Sequence, residues 1–212
     1  CGAMGLDTGA FTFFLYGFYE REKIYDIFET LCGARFTNSY TRVGGVSHDF
    51  TPQVIEKTRA FLKSFPKMLA DLERLLFRNR IFVDRTKGVG LLSTEEAVAT
   101  SSSGPVARAS GVTRDLRKDE PYLAYDDFDF QVPCMKSGDT FARFLVRMVE
   151  MHESLKIVEQ ALENLPAGPV DVAAGVALPD KAAVYQTIEG TITQFELIMQ
   201  THGIEVPSGE VY

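Results

Sequence analysis

Cysteine and histidine are scarce in this sequence of 212 residues, which contains three of each. The cysteines stand far apart and form no CxxC pair; they are Cys1, Cys32 and Cys134. This spacing argues against a disulfide framework and against a zinc or iron–sulfur site held by this chain alone. The histidines have no helical i, i+4 spacing either; they are His48, His152 and His202. We therefore expect no metal ligands here, and a reducing cytosol fits best.

Long apolar runs are also missing. The longest candidate, residues 11–19, is roughly half of the twenty or so residues that a membrane-spanning helix needs. We expect no membrane-crossing segment. The start lacks the charged-then-apolar pattern of a signal peptide and begins with Cys1 instead of methionine, so we expect an internal piece of a larger subunit.

Basic charge is in deficit, since the formal net charge is -7. No dense block of lysine and arginine compensates locally, so we expect no nucleic-acid partner. Gly44 and Gly45 stand next to each other without the remaining residues of a dinucleotide-binding or P-loop pattern. No nucleotide fingerprint is therefore present.

What the sequence does contain is apolar residues at helical spacing, amid a 45% hydrophobic composition that can bury one sizeable core. The pattern predicts four helices, at residues 9–32, 54–76, 139–165 and about 180–201. Gly33 should end the first, Thr51-Pro52 should begin the second, and Pro66 should kink or restart it. Pro166 and Gly203 should end the last two.

The segments between these helices predict little β structure. Residues 34–50 indicate a short extended segment with a tight turn at Gly44-Gly45, and residues 205–212 a beginning strand. Residues 86–137 form a long, mostly irregular excursion with one short helix near 94–99, and residues 166–180 form a Gly/Ala/Pro-rich connection. We therefore predict a mainly α fold, a helical bundle over residues 1–212 as a single unit.

One helical face combines an acid with a row of rings. At 100° per residue, Asp7, Phe11, Phe14 and Phe18 fall within roughly 60° of one another. Such a face suits a ligand with a polar head and a long apolar tail. The alternative is that the phenylalanines lie in the core and Asp7 caps the helix. Both interpretations stay open.

Three charged segments also leave two interpretations each. The turn of residues 20–23 either buries a paired ion or is fully solvated. Residues 33–45 bring Arg35, Tyr40 and Arg42 together, either as a positive lip for an anion or electron-rich cofactor of a neighbour, or as solvated or salt-bridged arginines. Residues 108–122 form either an interchain ion network or a solvated loop. No catalytic triad is recognisable.

Six phrases, in order, carry a resemblance to a known family: LDTGAFTFFLYGF, EREKIYDIFETLCGAR, YTRVGGVSHD, RASGVTRDLRKDEPY, SGDTFARFLVRMVEM and VPSGEVY. They resemble the D subunit of bacterial complex I, the NADH:quinone oxidoreductase, a homologue of the nickel–iron hydrogenase large subunit. The similarity spans nearly the whole chain. It implies the helical core of that fold, packed against a small subunit that carries the terminal tetranuclear iron–sulfur cluster.

The resemblance also implies roles for particular residues. Phe14 and Phe18 fall on positions that line the quinone pocket, and Asp7 on the carboxylate that interacts with the pocket's head-group histidine. Arg35 and Arg42 fall on arginines near the partner's cluster, where positive charge stabilises the reduced state. Many relatives have a histidine at the position of Thr37, and a histidine can titrate near neutral pH. Because threonine does not titrate there, we expect the reduction potential of the partner's cluster to vary little with pH in this protein.

The implied function is to help electrons pass from that cluster to quinone, coupled to proton translocation by the whole complex. The family's catalytic histidine and tyrosine belong before Cys1, so we expect no catalytic residue here and an inactive isolated piece. Quinone is the implied substrate, and NADH is expected to bind another subunit. Further implied partners include a membrane subunit at the quinone entrance, and the implied location is peripheral, on the cytoplasmic face of the bacterial inner membrane. The alternatives are a hydrogenase-like large subunit and a non-catalytic helical assembly scaffold.

Overall fold

The computed structural model describes residues 1–42, 44–172 and 181–192. Its helices and strands are, in order, α1 Gly2–Asp7, α2 Phe11–Cys32, β1 Thr41–Arg42, β2 Gly45–Val46, α3 Pro52–Leu76, α4 Arg80–Thr86, α5 Thr94–Ala99, α6 Gly104–Ala109, α7 Leu116–Asp119, α8 Thr140–Glu163 and α9 Lys181–Gln186. One turn of 3-10 helix spans Tyr125–Asp127. The predicted mainly α fold with little β is confirmed for these residues.

The predicted helix ends are confirmed where a local signal marks them. Gly33 ends α2 in the left-handed conformation, with φ of 75°, which glycine adopts without steric cost. The side chain of Thr51 accepts a hydrogen bond from the backbone N–H of Val54 at 3.4 Å, and Pro52 follows as the first helical residue of α3. The Asp139 side chain caps α8 in the same way, accepting from Ala142 N at 2.7 Å.

The helix predicted at residues 9–32 is observed as α2, which begins at Phe11, whereas the separate helix α1 before it was not predicted. Thr8 bonds back to the carbonyls of Met4 and Gly5 through its hydroxyl, at 2.9 Å each, and Gly9 turns the chain with φ of 94°. Gly5 is buried, and a Cβ there would lie 2.6 Å from the Phe13 ring. The missing side chain therefore lets α1 pack closely against α2.

Other boundaries differ less from the predictions. Helix α3 continues through Pro66 without a restart. In the excursion, α5 is confirmed at Thr94–Ala99, whereas α6 and α7 were not predicted. Helix α9 ends at Gln186 and helical residues resume at 188–192; the rest of the helix predicted to 201 and the strand predicted at 205–212 lie outside the described residues.

The chain divides into two units, each considered by itself. The smaller contains Thr41–Ser47 and Pro169–Tyr212. In it β1 pairs antiparallel with β2, which confirms the predicted tight turn, and Gly45 also bridges to Asp171. A Cβ at Gly45 would collide with the carbonyl oxygen of Val170, so this pairing requires glycine. The sequence alone predicted a single unit over residues 1–212 and did not indicate that the chain divides into two.

The core of the larger unit lies between α2, α3, α4 and α8. Phe144 is its centre: its ring packs edge-on against Phe82 at 4.9 Å and against Phe77 at 5.8 Å between centroids. The buried members of this cluster are Phe13, Leu69, Leu72, Leu76, Phe82, Phe144 and Met148. This core fixes α2, which carries two of the five predicted site residues, Phe14 and Phe18.

Candidate functional site

Asp7 lies at the C-terminal end of α1 and its side chain is exposed. Because the chain turns at Gly9 before α2 begins, Asp7 does not share a helix with the phenylalanines, and the single-helix projection fails for it. The capping alternative is wrong as well, since α2 has Ala10 at its N-cap position and no side-chain cap there. Arg85 donates to the carbonyl of Thr8 at 2.9 Å and so ties this turn to α4.

The phenylalanines do form a row on α2. The ring of Phe14 lies 4.3 Å from that of Phe18 and 6.3 Å from that of Phe11, measured between centroids. Phe11 is 57% exposed and Phe18 42% exposed, whereas Phe14 is half-buried. The ring that enters the core is Phe13 instead, at 2% exposed. Core packing therefore does not explain this row.

A cavity of about 580 Å³ opens beside Phe18. Its wall combines apolar and charged side chains, among them Phe13, Phe18, Glu20, Arg21, Phe65 and Arg147. Such a mixed wall, largely apolar with a few charges, is typical of a small-molecule site. Three residues were predicted to contact a ligand: Asp7, Phe14 and Phe18. The rings of Phe14 and Phe18 are in contact. Of the three residues, Phe18 lines this cavity, whereas Asp7 and Phe14 are not part of its wall.

Glu20 is a buried ion that the solvated interpretation of residues 20–23 missed. Only 5% of Glu20 is exposed, and Lys23 bonds to both of its carboxylate oxygens at 2.7 and 2.8 Å. Its burial follows from its place on the helix, since it comes seven residues after the buried Phe13 and so lies on the same face. Glu20 also lines a second cavity of about 610 Å³ between α2 and α3.

Arg35 is salt-bridged, as one of the two interpretations held. Its guanidinium bonds to Asp26 at 2.9 Å, to Glu29 at 3.0 Å and to Glu22. These hydrogen bonds to Asp26 and Glu29 raise the pKa of Arg35 above its ordinary value. The three carboxylates therefore offset the positive charge of Arg35, which reduces the positive potential predicted for this segment.

Of the other residues of that segment, Thr37 and Arg42 are exposed and Tyr40 is half-buried. Burial raises the pKa of Tyr40, whose hydroxyl donates to the carbonyl of His48 at 3.1 Å. Arg42 lies in β1, in the smaller unit, and is exposed.

The charged excursion forms an ion network within this chain, which neither interpretation anticipated. Arg108, at 8% exposed, bonds through Nε to Glu150 at 2.8 Å and lies 3.8 Å from Asp115. Arg117 holds Asp115 with two bonds of 2.7 and 3.0 Å. This fork from Arg117 keeps the pKa of Asp115 below its usual range.

Two other kinds of site are absent from residues 1–42, 44–172 and 181–192. They contain no group of three or more His, Cys, Asp or Glu side chains arranged to hold a metal ion. No helix among them has both the length and the apolar character that crossing a bilayer requires.

Comparison with known proteins identifies relatives over the whole chain. The family model of the respiratory-chain NADH dehydrogenase 49 Kd subunit matches residues 7–212. A NADH-quinone oxidoreductase D subunit of Chloroherpeton thalassium is 49% identical over 212 residues, 100% of this chain and 48% of the relative. The corresponding D subunit of Methylacidiphilum infernorum is 48% identical, covering 100% of this chain and 50% of the relative. The chain thus spans about half the length of the curated relatives it matches.

Proposed function

Since this chain belongs to the family of the respiratory-chain NADH dehydrogenase 49 Kd subunit, we propose that it forms one wall of the quinone pocket of NADH:quinone oxidoreductase. In that role it helps electrons pass to quinone from the terminal iron–sulfur cluster of a small partner subunit, while the whole complex translocates protons. Its helical core is of the hydrogenase large-subunit type. A membrane subunit at the quinone entrance is a further partner, and the assembly is peripheral on the cytoplasmic face of the membrane.

The observation that carries the proposal is the exposed aromatic row of α2 beside a cavity. Phe18 contributes its ring both to that row and to the wall of the 580 Å³ cavity. Neighbouring large side chains are also exposed on α2; they are Phe11, Leu15, Tyr16 and Tyr19. A contiguous apolar surface of this kind on a water-soluble unit is typical of a site that a ligand or partner covers. An isoprenoid-tailed quinone supplies matching apolar area.

Asp7 and the arginines complete the proposed division of roles. Asp7 interacts with the head-group end of the pocket, from the turn fixed by Thr8 and Gly9. Phe14 and Phe18 hold the quinone and exclude water. Arg35 and Arg42 lie on the side of the partner's cluster, which supplies the electrons.

Three variants of the full-length subunit in the assembled complex test the proposal: Phe14→Ala, Phe18→Ala and Asp7→Asn. Removing a ring from a half-exposed apolar wall loses about 1 kcal/mol of quinone contact, so each phenylalanine variant should raise the KM for quinone about fivefold. Inhibitor sensitivity should fall in parallel. Asp7→Asn should lower quinone reduction with unchanged assembly.

The matched control is Ile81→Ala on α4, a large apolar side chain that is 63% exposed. It should leave the KM for quinone unchanged. If instead the three variants alter the amount of assembled complex and leave quinone KM and inhibitor sensitivity untouched, the chain is an assembly scaffold and the pocket proposal is wrong.

A further inference from the structure

Arg21 lies among three aromatic rings on the exposed side of α2. Its guanidinium carbon is 5.9 Å from the centroid of Phe18, 5.2 Å from that of Tyr25 and 5.6 Å from that of Phe36. Its Nε also donates a hydrogen bond to the Tyr25 hydroxyl. Arg21 therefore holds rings from two different parts of the chain.

Two of these rings follow from the helix and one does not. Phe18 precedes Arg21 by three residues and Tyr25 follows it by four, so both are its neighbours on the helix surface. Phe36 comes from the segment after Gly33, and its ring meets Tyr25 edge-on at 6.0 Å. The contact with Phe36 thus fastens the segment after α2 back onto the helix.

The arrangement continues beyond Tyr25. The guanidinium carbon of Arg35 lies 5.6 Å from the Tyr25 centroid, so two guanidiniums contact that ring. Phe18, Arg21, Tyr25 and Arg35 form an alternating series of rings and guanidiniums. A planar, delocalised guanidinium suits such stacking better than an ammonium group does.

Arg21 also lines the 580 Å³ cavity together with Phe18. The ring that the proposed function assigns to quinone is 42% exposed, so surrounding core atoms restrain it only in part. A ring that contributes to a binding site is most effective when its own orientation is restrained by its neighbours. Arg21 is a neighbour of Phe18 in the cavity wall, and the structure shows their contact.

We propose that Arg21 is a positioning residue, which orients Phe18 in the quinone-facing wall and links it to the segment carrying Arg35. The inference rests on the proposed function. It assigns Arg21 no contact with the reacting atoms: its effect on quinone passes through Phe18. Loss of Arg21 should therefore weaken quinone binding more than it slows turnover.

The test uses the full-length subunit in the assembled complex, with decylubiquinone as the probe. Arg21→Gln should raise the KM about two- to fivefold, equivalent to the ~0.5–1 kcal/mol of an exposed cation–π contact, and change kcat less than about twofold. Arg21→Lys keeps the charge and loses the planar stack, so its KM should lie between those of Arg21→Gln and wild type. The matched control is Arg80→Gln, since Arg80 is an exposed arginine with a single 3.5 Å ion pair to Asp84.

A double-mutant cycle with Phe18→Ala separates positioning from a direct effect. If Arg21 acts through Phe18, the double variant should have the KM of Phe18→Ala alone. Additive effects, or an unchanged KM in Arg21→Gln, would overturn the inference. If Phe18→Ala itself leaves the KM unchanged, the proposed function fails instead. KM does not depend on the amount of assembled complex. Should Arg21→Gln assemble poorly, Tyr25→Phe gives a second measurement, because it removes only the hydroxyl that accepts the hydrogen bond from Arg21.

Discussion

Replacing Arg108 by methionine should destabilise the larger unit more than any surface charge change. Arg108 joins α6 to Glu150 of α8 and to Asp115, the N-cap residue of α7. Methionine fills a similar volume, so the main loss is the buried charge and its hydrogen bonds, including the 3.2 Å bond from Nη1 to the carbonyl of Arg114. Glu150 would then remain, at 19% side-chain exposure, without its arginine.

The magnitude follows from the burial of these partners. Removing one member of a buried ion pair costs about 3–5 kcal/mol, because the remaining charge stays poorly solvated. Asp115 keeps Arg117, with bonds of 2.7 and 3.0 Å, so the cost falls mainly on Glu150. Its partial exposure allows some solvation. We therefore expect a loss of about 3 kcal/mol in the free energy of unfolding.

Urea unfolding of the purified chain, followed by far-ultraviolet circular dichroism, measures this loss. The control is Arg114→Met, because Arg114 is 68% exposed in its side chain and has a 3.3 Å ion pair with the exposed Glu120; it should cost less than about 1 kcal/mol. Adding Glu150→Gln to Arg108→Met removes the unpaired charge and should restore about 1–2 kcal/mol. Equal effects of Arg108→Met and Arg114→Met, or no recovery in the double variant, would refute the reasoning.

Two further predictions concern pH. The two hydrogen bonds from Arg117 lower the pKa of Asp115. Burial by itself would raise the pKa of Asp139, but hydrogen bonds from the backbone N–H groups of Gly88 and Ala142 outweigh this effect and lower the pKa. Both carboxylates therefore stabilise the fold fully above their unfolded pKa of about 4, and this contribution is lost as the pH falls through their folded pKa values. The urea midpoint of unfolding should be flat from about pH 5 to 7 and fall below about pH 4. A midpoint that rises on acidification would contradict this prediction. With threonine at position 37, the potential of the partner's cluster should change little near neutral pH, and Thr37→His should introduce a pH slope; a steep slope in redox titration of the unaltered complex would show the hypothesis to be wrong.

Helix ends with a local chemical signal could be predicted from the sequence. Gly33 needs only its own missing Cβ to end α2, and Thr51, Pro52 and Asp139 act on backbone groups within three residues. Helix α1 was not predicted, and the projection placed Asp7 on the same helix as the phenylalanines although the chain turns at Gly9. What stabilises α1 as a separate helix is the packing of Gly5 on Phe13, a contact between two elements that periodicity does not contain.

The candidate site shows the same division between local and distant contacts. The adjacency of Phe14 and Phe18, the burial of Glu20 and the approach of Phe18 and Tyr25 to Arg21 all follow from three-, four- and seven-residue spacing on one helix. The contacts of Arg35 with the carboxylates of α2 and of Phe36 with Arg21 depend on how the chain returns after Gly33. The family itself was recognisable from its phrases, and the comparisons confirm it.

The turn at Gly9 places the two ends of the proposed pocket on two different helices, α1 and α2. The carbonyl of Thr8, the residue after Asp7, accepts a hydrogen bond from Arg85 of α4, whereas the helix that bears the rings is held by Phe13 against Phe144 of α8. Arg85 therefore adds a restraint from α4 on the turn beside the acid, in addition to the packing of α1 on α2 through Gly5 and Phe13. In the proposed pocket, substitutions in α1 should then act on the head-group end and substitutions in α2 on the wall that faces the tail.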